Sequence, residues 1–377
     1  MTENSTLQQK LDRKMMRLCI KLARQGSGFV APNPLVGAVI VKNGKIIGKG
    51  WHQKFGEAHA EINAIANTNE SLQGATIYVN LEPCSHQGKT PACSLALIQN
   101  GFKRVVIATL DPNPFVAGNG VEMLRKAGIK VDVGVLENEA LKLNERFFKF
   151  IQTKKPFVAL KIASSLDGKI ATAKGDSKWI TNNDSRIYGH QLRLRYASIL
   201  VGINTVLADD PILNVRLPNK ATKNPLRIVL DSELKIPLEA KILDTSIAPT
   251  WIATTQKASP IKQKQLEDKN VRVLICPEKE GKIDLAFLMA HLGNENIDSV
   301  LVEGGGTVNF SFAKEKLVDK VYVFLAPKLL GGKNAKTGME GEGFEQLKEA
   351  LELKDLQFKK FKNDLLIEAY TPCLQDL

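Results

Sequence analysis

Two apolar, β-rich runs between Leu35 and Trp51, VGAVIV and IIGKGW, flank the polar turn KNGK. Asn43-Gly44 at its centre is a strong hairpin signal, because both residue types accept the positive φ of a tight two-residue turn. The pattern then predicts a helix from about Ala58, the strand ATIYVNL, a helix near Pro91 to Asn100 stopped by Gly101, and the strand RVVIATL. A helix near Val121 to Lys126, stopped by Gly128, and the strand IKVDVGV complete this stretch. Strands alternating with helices predict an α/β sheet covered by helices. An amphipathic run, Glu137 to Phe150, leads into the polar QTKKP at 152–156, which reads as a linker before the strand-like FVALKIA.

The second half repeats this style without repeating the sequence. Its strand candidates are ALKIA, SILVG, RIVLD, TWIATT, VRVLI, SVLVEG and KVYVFLA. Helices are predicted over Asn183 to Tyr196, Asp284 to Leu292 and Val308 to Lys316, and ADDPILNVR at 208–216 reads as a loop. A chain of 377 residues suits two domains, each large enough to bury its own core, with a boundary near residue 152. The opening MTENSTLQQK lacks the features of a secretory signal, and no apolar run is long enough to cross a bilayer, so a soluble cytoplasmic protein is expected. The net charge of +12 is diffuse, with 19 Lys and Arg against 12 Asp and Glu in residues 1–150. Such a field suits nucleic acid, small phosphorylated substrates or plain solubility. No RNA-recognition signature or aromatic-rich basic stretch supports the first.

Cysteine and histidine change the picture. Three of the five histidines lie between positions 52 and 86, and two of the five cysteines fall within NLEPCSHQGKTPAC, 80–93. In a reducing compartment a close Cys pair points to catalysis or metal rather than a disulfide. Cys19, Cys276 and Cys373 read as unremarkable. A zinc ion that activates water needs three protein ligands and an open position, and His59, Cys84 and Cys93 supply that set. Thr90 as a cap and Pro91 in the first turn would place Cys93 at a helix start, which lowers a thiol's pKa. Glu61 stands two residues after His59, where a carboxylate can move the proton of the attacking water to a leaving amine. His-x-Glu followed by Pro-Cys is the zinc base-deaminase pattern, except that eight residues rather than two separate the cysteines. His86 in place of Cys93, and a closed structural zinc with no use for Glu61, are the competing readings.

The stretches APNPLVGAVIV, GWHQKFGEAHAE and EPCSHQGKTPAC resemble the deaminase half of the bifunctional deaminase/reductase of riboflavin biosynthesis, whose members show the longer cysteine spacing. KIASSLDGKIA, GDSKWIT, GHQLRLRYASILVGINTVLADDPILNVR and LVEGGGTVNFSF resemble its reductase half. The resemblance implies a cytidine-deaminase-like α/β/α sandwich over 1–151 and a dihydrofolate-reductase-like α/β domain over 152–377. It implies one zinc on His59, Cys84 and Cys93, with Glu61 as proton shuttle and Asn33, His52, His86 and Lys89 on the substrate. Read alone, Lys89 is a solvated loop lysine. The implied chemistry is removal of the 2-amino group of a diaminopyrimidinone ribotide, then NADPH-dependent reduction of its ribosyl chain.

In the second half the residues alone are less outspoken. Gly304-Gly305-Gly306 between a strand and a helix can cradle phosphate, but such turns are as common without a ligand, and the spacing is not that of a Rossmann fingerprint. LKIASSLDGKIA reads equally as a hairpin turning at Asp167-Gly168, and Trp179 as a core aromatic. By resemblance, Ala163, Trp179, Thr205, Asp209, Ser232 and the turn Gly305, Gly306, Thr307, Val308, Asn309, Phe310 and Ser311 line NADPH. Ser177, Arg193, Leu213, Arg216 and Glu303 line the substrate. Arg193 and Arg216 suit the 5′-phosphate, since a guanidinium fork matches phosphate oxygens, though either also reads as a surface arginine. The expected partner is a phosphorylated pyrimidine ribotide, with no nucleic acid or membrane, in a homo-oligomer of two or four copies.

Overall fold

The computed structural model describes residues 3–85, 92–113, 117–218 and 222–372. The chain divides into two units, Met1–Thr153 and Lys154–Leu377. The first begins with a long helix that pattern alone did not predict, α1 (Glu3–Ala23). Met15, Met16, Cys19 and Ile20 recur along one of its faces and are buried against Val39, Tyr78 and Val106 of the sheet. The hairpin strands β1 (Gly37–Lys42) and β2 (Lys45–Trp51) follow, and Asn43 and Gly44 both take positive φ in the turn between them.

Then come α2 (Ala60–Ala66), β3 (Thr76–Val79), α3 (Cys93–Gln99), β4 (Arg104–Ile107), α4 (Asn119–Lys126) and β5 (Lys130–Val133). Helices α5 (Glu137–Leu143) and α6 (Glu145–Thr153) close the unit. Helix α6 takes in Gln152 and Thr153, which the polar pattern assigns to a linker. The sheet order is β2-β1-β3-β4-β5, antiparallel across the hairpin and between β1 and β3, and parallel beyond. Helix α2 crosses β2 so closely that a Cβ on Gly50 would run into the backbone of Ala60 and Ala64. Only glycine lets the helix bring His59 and Glu61 that near the sheet.

A partly buried ion network pins α1 to the sheet. Arg104 on β4 grips Asp12 with two guanidinium nitrogens, at 2.9 and 2.7 Å, and Asp132 on β5 with Nε at 2.6 Å. Tyr78 also donates to Asp12, at 2.8 Å. Burial alone would raise the Asp12 pKa, but its bonds to Arg104, Gln8 and Tyr78 outweigh it and hold the group below 3.8. Since the folded value is depressed, this stabilisation is complete above the unfolded pKa and is lost as pH falls through the folded one. Arg104→Ala leaves a buried carboxylate without its cation and should cost about 3–5 kcal/mol, read as a lower urea midpoint at neutral pH. A change under about 1 kcal/mol would mean that the network contributes little.

The second unit runs through β6 (Phe157–Ser165), α7 (Asn183–Arg195), β7 (Ser198–Gly202), α8 (Ile203–Asp209), β8 (Leu226–Leu230), β9 (Thr250–Thr254) and α9 (Pro260–Glu267). It continues with β10 (Arg272–Ile275), the small hairpin β11 (Glu278–Lys279) and β12 (Lys282–Ile283), α10 (Leu285–Asn294), β13 (Ser299–Val302) and α11 (Gly306–Lys314). The last strands are β14 (Lys320–Ala326), β15 (Lys354–Phe361) and β16 (Asp364–Tyr370). The nine-stranded sheet has the order β10-β9-β8-β7-β13-β6-β14-β16-β15, parallel from β10 to β14. The carboxyl ends of β6, β7, β8 and β13 carry the second half's candidate residues, where ligands gather in open parallel sheets. Two sequence readings change here. Asp167-Gly168 does turn the chain, yet no strand returns along β6 after it, and the loop 208–216 begins inside α8.

Candidate functional site

His59 is the residue before α2 and would ordinarily cap it, but its side chain makes no cap. The ring turns to the sulfurs instead: Nδ1 lies 3.3 Å from Cys93 Sγ and 3.6 Å from Cys84 Sγ. The three donor atoms all fall within 4.8 Å of one another, a group that can hold a metal ion. Ser94 fastens the loop of Cys84, its Oγ donating to Pro83 O at 3.1 Å and Cys84 O at 3.0 Å. Glu61, in the first turn of α2, is 3% exposed, and burial pushes its carboxyl up to about 7.

Helix α3 starts at Cys93 itself, after Ala92, so Cys93 stands at the helix start that the sequence predicts, and its thiol faces that of Cys84 so that the two titrate as a pair. Cys84 accepts the Cys93 N–H at 3.3 Å. Its bonds to the Cys93 side chain and to His59 draw it down to about 4. Cys93 moves up, first because of the adjacent Cys84 sulfur and then through burial. Two thiolates this close ionise together only beside a cation. The donor set therefore fits a soft divalent ion such as zinc. His86, Lys89, Thr90 and Pro91 lie outside the described residues, as does Cys373. Cys19 and Cys276 are buried and free.

Beside this group stands His52, 2% exposed, whose ring packs edge-on against that of His59 at 5.6 Å between centroids. A carbonyl only accepts, so the 3.1 Å contact with Ala58 O places the proton on Nδ1. That leaves Nε2 to accept from Asn33 Nδ2 at 3.2 Å. Burial lowers the His52 pKa and keeps the ring neutral. One residue that sequence reasoning did not single out is Glu82. Its buried carboxylate accepts the backbone N–H groups of Asp111, Gly118, Gly120 and Val121 at 2.9–3.2 Å, joining the Cys84 loop to the start of α4.

In the second unit a cavity of about 430 Å³ is lined by Ala163, Ser177, Trp179, Arg193, Arg216 and Glu303, with Lys161 and His190 as further members. Trp179 is 61% exposed, with the Arg186 guanidinium 4.6 Å from its ring centre, so it is not a core aromatic. Arg193 is not a surface arginine either: its fork holds Glu303 at 2.9 and 2.8 Å. Lys161 adds a second cation 3.7 Å from Glu303. Burial would raise the Glu303 pKa, but Arg193 and Lys161 hold it well below the usual carboxylate range. Arg216 is exposed at the cavity's edge. His190 accepts the Arg216 N–H at 3.3 Å, and burial beside Arg193 and Arg216 lowers it to about 4.

A second cavity, of about 370 Å³, is lined by Ser232, Thr307, Val308, Phe310 and Ser311. The start of α11 beside it has no side-chain cap, and a Cβ on Gly305 would meet open space. Asn309 is 1% exposed, and its Oδ1 is a buried acceptor without a partner among the described residues. A helix start without a side-chain cap and room over the glycine turn beside the cavity fit the phosphates of a dinucleotide. Thr205, Asp209 and Leu213 lie outside the lining of both cavities. The Leu213 side chain is buried in the core with Ile199 and Val229.

Residues 9–109 match the family model of the cytidine and deoxycytidylate deaminase zinc-binding region, and residues 156–367 match that of the RibD C-terminal domain. The chain is 46% identical to the riboflavin biosynthesis protein RibD of Actinobacillus pleuropneumoniae over 95% of this chain and 94% of that one. It is 45% identical to the RibD of Aquifex aeolicus, over 95% and 98%. A solved structure of Acinetobacter baumannii RibD superposes with a TM-score of 0.86 at 38% identity, covering 96% of this chain and 99% of that one. The diaminohydroxyphosphoribosylaminopyrimidine deaminase/5-amino-6-(5-phosphoribosylamino)uracil reductase of Thermotoga maritima gives 0.82 at 38% identity, over 97% and 99%.

Proposed function

The chain belongs to the RibD family of bifunctional riboflavin-biosynthesis enzymes, and from that premise we propose which of its residues carry the two activities. It deaminates 2,5-diamino-6-ribosylamino-4(3H)-pyrimidinone 5′-phosphate and then reduces the ribosyl chain to give 5-amino-6-ribitylamino-uracil 5′-phosphate. The observation that carries the deaminase assignment is the meeting of His59, Cys84 and Cys93 beside the buried Glu61. His59 Nδ1 and the two sulfurs would hold zinc, which when bound supplies a Lewis acid that brings the pKa of water near neutrality. Glu61 takes the proton of the water that attacks C2 and passes it to the amino group, which leaves as ammonia. Asn33, held by neutral His52, contacts the pyrimidine. His86 and Lys89 belong to the same substrate site by family pattern.

The reductase assignment rests on the two cavities at the carboxyl ends of the parallel strands. Ser232 and the Gly305–Ser311 turn would hold NADPH, with Ala163 and Trp179 toward the substrate and Thr205 and Asp209 by family pattern. When bound, NADPH supplies the hydride that reduces the imine formed at C1′ as the ribosylamine opens. Glu303 is fixed in its charged form by Arg193 and Lys161 and so orients the sugar hydroxyls. Because Glu303 occupies the Arg193 fork, the exposed Arg216 is the better cation for the 5′-phosphate. Ser177 lines the same wall, and Leu213 belongs to the substrate site by family pattern alone.

Gly305→Val tests the cofactor turn. The backbone there, φ −71° and ψ 172°, suits valine and the added carbon has room, so the fold should survive. The branched side chain would stand where the phosphates approach α11. The KM for NADPH should rise about tenfold or more, the loss of one charge-assisted hydrogen bond of about 1.5 kcal/mol, with ammonia release unchanged. An unchanged KM would remove that turn from the cofactor site.

A further inference from the structure

We infer that Asn144, together with Asn80, is a positioning residue of the deaminase site. The two side-chain amides hold the segment that presents Asn33, and the inference rests on reading Asn33 as a substrate contact. Residues 31–36 lie before β1; the His52 N–H bonds to Val36 and the Leu35 side chain packs with Val30 and Leu143, but the Leu35 backbone itself is held by side chains from two distant points. Asn144, between α5 and α6, is 3% exposed and spends both amide atoms on the backbone of one residue. Its Oδ1 accepts the Leu35 N–H at 2.8 Å, and its Nδ2 donates to the Leu35 carbonyl at 3.0 Å. Asn80, at the end of β3 and fully buried, donates to the same carbonyl at 2.9 Å and accepts the Gly37 N–H at 2.7 Å. The paired amides do for this segment what a neighbouring strand would do.

From Leu35 the chain of contacts runs to the chemistry. The next residue, Val36, accepts the His52 N–H at 2.9 Å, and Asn33 donates to the His52 ring at 3.2 Å. The other ring nitrogen of His52 bonds to Ala58, whose neighbour is His59. A shift of the Leu35 backbone therefore moves Asn33 and His52 together. Residue 144 lies outside the 9–109 region shared with the wider deaminase family model. The helical segment after β5 thus completes the site rather than merely leading to the second unit.

A double-mutant cycle on the full-length, zinc-loaded enzyme tests this, following ammonia release, zinc content and reduction of the deaminated ribotide for the parent, Asn33→Ala, Asn144→Ala and the double variant. Asn144→Ala should raise the deaminase KM about tenfold to a hundredfold, the effect of small misplacements at a distance. Zinc content and reduction should stay at parent levels. If Asn144 acts through Asn33, adding Asn144→Ala to Asn33→Ala should change kcat/KM by less than about twofold. A full further loss in the double variant, or loss of zinc, would overturn the inference by showing that the amide supports the unit generally. An unaltered KM in Asn33→Ala alone would instead overturn the substrate role of Asn33, and the inference with it. Should Asn144→Ala not accumulate as folded protein, Asn144→Asp keeps the acceptor for the Leu35 N–H, and the same cycle is read on it.

Discussion

Glu61→Gln should cut ammonia release about 10²- to 10⁴-fold, the usual contribution of a positioned proton-transfer group, and leave reduction of the deaminated ribotide intact. Glutamine keeps the size and most of the polarity of glutamate but takes up no proton at neutral pH. Glu61 is buried in the first turn of α2, a helix seated tightly on β2 at Gly50, so the near-isosteric change should leave that packing alone. His59, Cys84 and Cys93 keep their donor atoms, and zinc content should match that of the parent. Because the reductase cavity is built from the other unit, its rate serves as the internal control for folding. Ammonia release within about tenfold of the parent, with zinc bound, would mean that another group moves the proton.

Cys84→Ser should abolish both zinc retention and deamination, and Cys93→Ser should do the same. Serine keeps the shape, but its hydroxyl has almost no tendency to ionise at neutral pH and is a poor match for a borderline-soft ion. Cys84 is the more telling of the two, since its surroundings already favour the thiolate: it accepts the Cys93 N–H and lies beside His59. Metal analysis after gel filtration would show the loss directly. Reduction of the deaminated ribotide should persist in both variants. If it vanished as well, the two units would depend on each other for folding or activity.

Much of the architecture was legible in the chain. The alternation of β-rich runs with capped helices exposes the parallel strands of both units, and Asn43-Gly44 marks the hairpin where both residues take positive φ. The His-x-Glu and Pro-Cys spacings brought His59, Cys84 and Cys93 under consideration before any geometry. Helix α1 was not predicted although Leu11, Met15, Leu18 and Leu22 recur at helical spacing with basic residues between them, the pattern of a helix with one buried face. The pair β15–β16 was not predicted either. Strand β15 is an edge whose residues are nearly all exposed, so no buried face imposes an alternation.

The supporting residues could not be read at all. Glu82 meets backbone groups 29 to 39 positions away, and Asn144 reaches Leu35 across 109. A buried carboxylate or amide leaves no periodic trace in sequence; its partners exist only once the fold has closed. The pairing of the thiols has the same origin: the helix start at Cys93 is marked in the sequence, but that its sulfur faces Cys84 is set only by the closed fold.

The division of chemistry between the two units is tested most directly by a single paired assay. Zinc-loaded protein is mixed with the diaminopyrimidinone ribotide and ammonia is followed; NADPH is then added and its absorbance recorded. Ammonia should appear first without NADPH, and NADPH oxidation should follow only once deaminated ribotide has formed. Oxidation of NADPH by ribotide that still carries its 2-amino group, or ammonia release that waits for NADPH, would contradict two independent sites acting in this order.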